Sequence, residues 1–515
     1  MNWVVLILLV PLFTGAFGVL SPRPSRARRG VFLGSAVVQL LLAIVVAALV
    51  SGGDRIVLAP GGWGASVGIV LVVDLLTGIM LVLAAGTAVA CIVFAYASRE
   101  AAVEHPLQLP LMQFLITGIN LSFVTGDLFN LFVAFEVMLI ASYALLSLES
   151  DNRNVRHAWS YLSINLVGSA IFLLGCGLTY GMFGSLNFAV IAERSNELAG
   201  DPLLVLLGLV FLVVFATKAG MFPLYYWLPN SYPILPGAMA AFYAGMLTKV
   251  GVYVLLRIFG TMFPADLPVV SELLAWGAGA TMVFGVLGAV ARDRVQHILS
   301  YHIISQIGFM VLAIGFATPL AITAAILYIT HHIVVKATLF LVGGAVIHVH
   351  GTDRLECCGG LARLAPWLAA GFFLQAMSLA GIPPLSGFWG KYLIIVEGVA
   401  LGQYVLVGAS IVASILTLVS MMKVWLGCFW KAAPENGSAP VVRPGLATMS
   451  VVVTVMTAIS LVIGLGVERF YGVAAEASRQ VLDREGYIEA VLAVGVVPSG
   501  EATAVSAEDA GGVAK

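Results

Sequence analysis

Charge is what this sequence has least of. Only 10% of its 515 residues are Asp, Glu, Lys or Arg, where a soluble domain carries roughly 25%. With 61% hydrophobic residues beside so few charges, a water-facing surface cannot be covered, and the soluble globular class is excluded. Net charge is -1, so no basic field is available to hold nucleic acid. Cysteine is scarce as well: Cys91, Cys176, Cys357, Cys358 and Cys428. Cys357 and Cys358 are adjacent, but no second Cys or His cluster at zinc spacing accompanies them, so they read as ordinary thiols. The opening MNWVVLILLVPLFTGAFGVL has no basic segment ahead of its apolar run and reads as a retained membrane span rather than a cleaved signal.

What the chain does have is a succession of apolar windows long enough to cross a bilayer. They fall at about 2–20, 30–51, 68–97, 108–125, 127–148, 158–184, 203–222, 237–260, 271–291, 297–316, 319–347, 366–396, 402–430 and 446–468. The expected fold is therefore an all-α polytopic membrane protein of about fourteen transmembrane helices. Prolines punctuate two regions: Pro223, Pro229, Pro233 and Pro236 near 203–236, and Pro383 and Pro384 in 366–396. Both read as broken helices, which membranes tolerate where the backbone lines a cavity or packs inside protein.

Basic residues orient the spans. With fourteen crossings, Arg23, Arg26, Arg28, Arg29, Arg99, Arg153, Arg156, Arg292, Arg294, Arg354, Arg363, Lys431 and Arg443 share one side. The other side holds fewer: Arg55, Arg194, Arg257, Arg469, Arg479 and Arg484. The positive-inside rule makes the rich side cytoplasmic, with both termini extracytoplasmic.

The two broken regions resemble each other. KAGMFPLYYW (218–227) and LAGIPPLSGF (379–388) share A-G-x-x-P-L. They lie in spans 7 and 12, five spans apart. That spacing suggests two five-helix repeats, spans 4–8 and 9–13, inverted because five is odd. The expected organisation is spans 1–3 over 1–107 and a core over 108–430, with repeat one at 108–260 and repeat two at 271–430. The last span and its preceding loop occupy 431–470, and an extracytoplasmic tail occupies 471–515. Within the tail, Ala474 to Ala493 reads as an amphipathic helix on the outer surface, and 498–515, small and polar, reads as disordered. A second likeness, VRHAWSYLSINLVG (155–168) with VQHILSYHIISQIG (295–308), agrees at six of fourteen positions and does not fit the five-span scheme.

The few ionisable residues inside spans are the candidates for function. Glu136 sits in the middle of DLFNLFVAFEVMLIASYALL (127–146), where an isolated charge costs about 2.5 kcal/mol or more. Lys218 lies at the first break, Lys249 in span 8, His331, His332 and Lys336 in span 11, and Lys391 after the second break. Asp74, His302 and Lys423 lie nearer span ends and read as interfacial, Lys423 by snorkelling. A packing staple accounts for one Glu–Lys pair, and a satisfied core residue for one histidine. Four lysines, one glutamate and two histidines over five spans exceed that, and chains of such residues mark proton relays. Burial disfavours the charged form of a lysine and a nearby carboxylate favours it, so pairing and unpairing can load and release a proton. Histidine passes protons near neutral pH. His332 and Lys336 are four apart and share a helical face. His331 and His332 are adjacent, so one of them is expected to face the interior.

At these residues the sequence resembles the antiporter-like, proton-translocating membrane subunits of complex I, membrane-bound hydrogenases and the Mrp multisubunit cation/proton antiporters. The resemblance covers nearly the whole chain and is strongest from Asp127 to Lys391. GDLFNLFVAFEVMLIASYALL, ATKAGMFPLYYWLPNSYPILPGAMAAFYAGMLTKVGVY and LAGIPPLSGFWGKYLII are most similar to the D-type subunits of Mrp antiporters. The resemblance implies that Glu136 pairs with Lys218 and that Lys249 carries protons between two half-channels. His331, His332 and Lys336 would continue the path to Lys391, its terminal lysine, where some complex I relatives have glutamate. It implies a secondary-transporter subunit rather than an enzyme, in the bacterial plasma membrane, assembled with other Mrp subunits and exchanging protons and Na+ across the lipid bilayer. No cofactor, metal or nucleic acid is implied, and no quinone or nucleotide motif is visible. The chain has neither the long lateral helix of one complex I relative nor the C-terminal extension of the Mrp A subunit. The alternative is a pump subunit of complex I or a membrane-bound hydrogenase, which neighbouring genes would distinguish.

Overall fold

In a bilayer the backbone has no water to bond, so apolar segments satisfy their amides internally as helices. The computed structural model describes residues 2–23, 25–65, 68–98, 105–148, 155–198, 200–264, 267–432 and 442–494. Arg99, Arg153 and the segment 498–515 named above lie outside them. The chain opens with α1 (Asn2–Leu20) and α2 (Arg26–Val50), then an antiparallel hairpin of β1 (Ile56–Leu58) and β2 (Leu71–Val73). Next come α3 (Leu75–Ser98), α4 (Gln108–Val124), α5 (Leu128–Leu148), α6 (Val155–Phe183), the short α7 (Phe188–Ser195), α8 (Pro202–Ala219), α9 (Trp227–Ser231) and α10 (Gly237–Arg257). The second half holds α11 (Pro268–Val290), α12 (Val295–Phe316), α13 (Pro319–His350), α14 (Leu361–Leu364), α15 (Pro366–Ala380), α16 (Ser386–Ala400) and α17 (Tyr404–Val424). The chain continues with α18 (Leu446–Leu465), α19 (Val467–Leu482) and α20 (Arg484–Leu492).

Among the described residues, twelve helices are long and apolar enough to cross a membrane. The expected windows at 108–125 and 366–396 fall instead on shorter helices, the 17-residue α4 and the 15-residue α15 with α16 behind it.

Burial sorts the helices. The apolar window of α10 is 100% buried and those of α12 and α13 are 89% buried, while that of α1 is only 28% buried. The core is thus a sandwich of α10, α12 and α13, and it is the core that carries most of the ionisable residues. Glycine sets its closest crossings. A Cβ on Gly237 of α10 would stand 2.5 Å from the Cα of Gly344 on α13. One on Gly251 would stand 2.6 Å from the backbone of Ala219, where α8 ends.

Both breaks fall on the shared motif. α8 is capped by Gly220 at φ 81 and α15 by Gly381 at φ 93, left-handed conformations that glycine adopts without a steric penalty. The amides after them turn back identically: Met221 N–H to Ala216 O at 2.9 Å, and Ile382 N–H to Met377 O at 3.1 Å. Phe222–Pro223 and Pro383–Pro384 are both cis. Beyond this point the two differ. The first break continues as a 3-10 turn (Leu224–Tyr226) and five-residue α9, the second as the 15-residue α16.

The tail is two helices rather than one. α19 starts earlier than expected, and Asp483 separates it from α20, whose Gly486 N–H its carboxylate caps at 3.0 Å. α19 crosses the starts of α13 and α3. Ser478 donates to Pro319 O at 3.0 Å, and Gln480 accepts from Leu75 N–H at 2.9 Å.

Candidate ion-transfer site

Seven residues were singled out by sequence, and six of them are fully or almost fully buried: Lys218, Lys249, His331, His332, Lys336 and Lys391. Glu136 is half-buried, and its Oε1 is enclosed without a hydrogen-bond partner.

The row begins on α5. Glu136 and Lys218 lie near enough to interact electrostatically but form no ion pair within contact distance. Lys218, in the last turn of α8, donates to Asn165 O at 2.9 Å and Ser169 Oγ at 3.0 Å, both on α6. Its ammonium also lies 5.9 Å from the ring centroid of Phe135, the neighbour of Glu136, within cation–π range. The direct partners of Lys218 are therefore on α6, and the ion pair expected with Glu136 is not formed.

Lys249 lies on α10, the helix whose Gly251 packs on the break. It donates to Ala244 O and to Thr248 Oγ1 at 3.2 Å. α10 and α13 pack closely here, and Lys249, Lys336 and Lys391 all stand near enough to His332 to interact with it electrostatically. Neither ring nitrogen of His332 has a partner. Lys336 donates to Leu299 O on α12 at 2.9 Å.

Only one of the two adjacent histidines was expected inside, yet both are fully buried. α13 is enclosed on several sides, so successive positions both meet protein. His331 Nδ1 shares a 2.7 Å hydrogen bond with Ser386 Oγ, the first residue of α16. Ser386 Oγ also lies 3.0 Å from Ser378 Oγ and 3.0 Å from Ser460 Oγ. This serine hub ties α13, both sides of the second break and α18 together, and nothing in the sequence marked it. Of the hydroxyls beside the buried lysines, Thr217 donates to Val213 O, and Thr248 accepts from the Lys249 ammonium.

Lys391 closes the row. It donates to Leu379 O at 2.9 Å, Ala380 O at 3.3 Å and Ser414 Oγ at 3.2 Å. It therefore serves the free carbonyls at the C-terminal end of α15, where the helix dipole favours a cation. Its ammonium is 4.4 Å from the Phe309 ring centroid.

Two residues expected at the interface are inside. His302 is fully buried, with Nε2 on Ser420 Oγ at 2.7 Å, and the charges of Lys336 and Lys391 reach it. Asp74 is also fully buried and forms an ion pair with Arg257 at the end of α10. Thr77 Oγ1 accepts from Arg257 at 3.0 Å, and Arg257 Nε donates to Tyr253 Oη at 3.0 Å. Both residues sit near span ends in sequence, but neighbouring helices cover them. Lys423 stands partly exposed, donating to Arg292 O at 2.7 Å and Asp293 at 2.6 Å.

These residues are thus distributed over α5 (Glu136), α8 (Lys218), α10 (Lys249), α13 (His331, His332 and Lys336) and α16 (Lys391). The family described as NADH:quinone oxidoreductase/Mrp antiporter, TM, matches residues 125–417, a stretch that holds every one of them. The chain belongs to the NADH:quinone oxidoreductase/Mrp antiporter family. Among members of that family, it is 42% identical over 492 residues to the D subunit of the Na(+)/H(+) antiporter of Alkalihalophilus pseudofirmus, covering 95% of this chain and 99% of that one. A chain in the structure of the Mrp complex from Dietzia sp. superposes with a TM-score of 0.88 at 31% identity, over 95% of this chain and 99% of that one. A chain of the membrane-bound sulfane sulfur reductase, an archaeal respiratory membrane complex, superposes at 0.89 with 24% identity, over 95% of this chain and 100% of that one. That last likeness speaks to the NADH:quinone oxidoreductase/Mrp antiporter fold alone.

Proposed function

We propose that this chain is the D-type membrane subunit of a multisubunit Na+/H+ antiporter and that it moves protons along the buried row. The observation that carries this reading is the row itself, four buried lysines and two buried histidines with a carboxylate at one end, inside the matched region. In this reading Glu136 controls how firmly Lys218 holds its proton. Lys249 takes the proton on, His332 and Lys336 relay it across α13, and His331 hands it to Lys391 at the second break. Sodium is left to another subunit of the hetero-oligomer.

The same reading takes α4 and the α15–α16 pair as crossings, for fourteen in all. Spans 4–8 and 9–13 are then inverted repeats, a scheme supported by the matching turn geometry at Gly220 and Gly381. The organisation is spans 1–3 over 1–107, core 108–430, last span 431–470 and tail 471–515. Both termini lie outside a bacterial plasma membrane, with the arginine-rich loops inside. The protein is a transporter subunit, with the redox-complex role as the competing assignment.

The test is cation-driven proton flux in vesicles carrying the whole complex. Glu136→Ala and Lys218→Ala should each abolish most of it while the complex still assembles. Wild-type flux in both variants would sink the relay.

A further inference from the structure

On the lateral face of the helix bundle a cavity of about 810 Å3 opens between α3, α13 and α18, within the roughly 300–1,000 Å3 range of ligand sites. Its walls run from Leu75 to Leu83 on α3, from Ile326 to Thr330 on α13, and from Val455 to Ile463 on α18. Phe470 and Val473 of α19 line its upper end. α19 crosses the first residues of α13 and α3, at Pro319 and Leu75, so it marks one membrane surface. Depth below that surface is set by the helical rise of about 1.5 Å per residue. Thr330 is eleven residues into α13 and Val455 is ten residues before the end of α18, which puts the floor at about 15–17 Å. Half of a hydrocarbon core of roughly 30 Å is the same depth. The groove is therefore one leaflet deep, almost wholly apolar, open to the side and roofed by α19.

We infer that this groove holds an acyl chain of a phospholipid from the leaflet on the α19 side. The roof decides between occupants. A membrane-spanning partner helix would have to leave through the aqueous end, which α19 covers, and would continue past the midplane, where the groove stops. An acyl chain enters from the side and ends at the midplane. The chemistry agrees, since the groove wall offers mostly methyl and methylene groups, with Ser51 at the end of α2 and Glu476 of α19 among its few polar residues. The site also borders the row of buried cations. Thr330 precedes His331, and Ser460, between the groove residues Ile459 and Ile463, turns its hydroxyl the other way to Ser386. A chain lodged here covers α18 on the side opposite the serine hub and keeps water from reaching that hub laterally.

Photolabelling tests this. Membranes containing the assembled protein are fused with vesicles of phosphatidylglycerol bearing a diazirine in its acyl chain, irradiated, and the labelled peptides are mapped. Label should concentrate on Ile326–Thr330 and Val455–Ile463, and should persist there when a chase with unlabelled lipid before irradiation abolishes it on the exposed face of α17. Ala458→Trp fills the groove from its rim and should cut groove labelling by roughly tenfold, a loss of about 1.4 kcal/mol. Val412→Trp on α17 should leave groove labelling unchanged. Equal labelling and equal chase rates on the groove and on α17 would overturn the inference. So would groove labelling indifferent to Ala458→Trp, or cross-links from the groove into a helix of another subunit. If Ala458→Trp does not assemble, the wild-type chase decides alone.

Discussion

Single residues carry this protein's chemistry, and their supports can be tested one at a time. Ser386 is bonded to His331, Ser378 and Ser460, while His331 Nε2 has no partner. Ser386→Ala would leave neither ring nitrogen held. A misplaced transfer group costs on the order of tenfold to a hundredfold, and the expected loss of antiport in vesicles is of that order, with assembly intact. Asp74 and Arg257 answer to a different rule. Removing one partner of a buried ion pair leaves an uncompensated charge, at about 3–5 kcal/mol. Asp74→Ala should therefore lower the thermal stability of the detergent-solubilised protein severely, and the double variant Asp74→Ala/Arg257→Ala less than either single change. Sequence made the lysines and Glu136 visible because a charge inside an apolar window is costly and so conspicuous. It could not show the serine hub, since a serine in a helix usually bonds its own backbone. Nor could it show that Asp74 meets Arg257, a pairing that exists only once α3 and α10 have packed.

Elements meet where side chains are smallest. Gly251 lets α10 sit on the end of α8, with Ala219 N only 2.6 Å from where a Cβ would be. The obstacle is backbone and cannot rotate away. Gly251→Ala should cost roughly 1–3 kcal/mol and shift the break beside Lys218, which would appear as a lower unfolding temperature together with reduced flux. Gly177 on α6 is the control: nothing lies within 4 Å of its added Cβ, so Gly177→Ala should be neutral or slightly stabilising. The A-G-x-x-P-L motif made both breaks legible, because Gly and Pro have few other uses inside an apolar helix. The conformation beyond each break was not legible. Whether the chain resumes as short turns or as a full helix depends on what packs against it. Here α18 packs so closely on the second break that a Cβ on Gly464 would fall 2.5 Å from Ser386 N.

At the scale of the whole molecule, α19 and α20 bind distant parts of the chain together. Arg484 donates to Ala192 O at 2.9 Å and Asn196 at 2.9 Å, and Arg55 reaches Asp483 at 2.9 Å. Burial pushes the Asp483 carboxyl up, but the hydrogen bonds from Arg55 and Gly486 and the charges of Arg55 and Arg479 outweigh it and hold it below the usual carboxylate range. A depressed carboxyl stabilises the fold above its unfolded value, about 3.9, and that contribution is lost as pH falls through the folded value. Arg55→Ala should speed hydrogen exchange in α19 and α20 at neutral pH, with the gap from wild type closing below about pH 4. Equal exchange at pH 7 would rule the strap out. Composition made the membrane class and most spans readable, since length and apolarity decide them. It did not show that the tail folds back onto the starts of α3 and α13, because those contacts join residues about four hundred and about one hundred and sixty positions apart.

α13 has a consequence of its own. Its 32 residues make a rod of about 48 Å, well beyond the roughly 30 Å of hydrocarbon. One end is pinned under α19, and the other is capped at Gly351. His331, His332 and Lys336 ride near its centre, and in the proposed relay they are three of the transfer groups. A partner that shifted α13 against α10 and α16 would change the proposed hops from Lys249 and to Lys391 together, with no helix melting and no side chain changing rotamer.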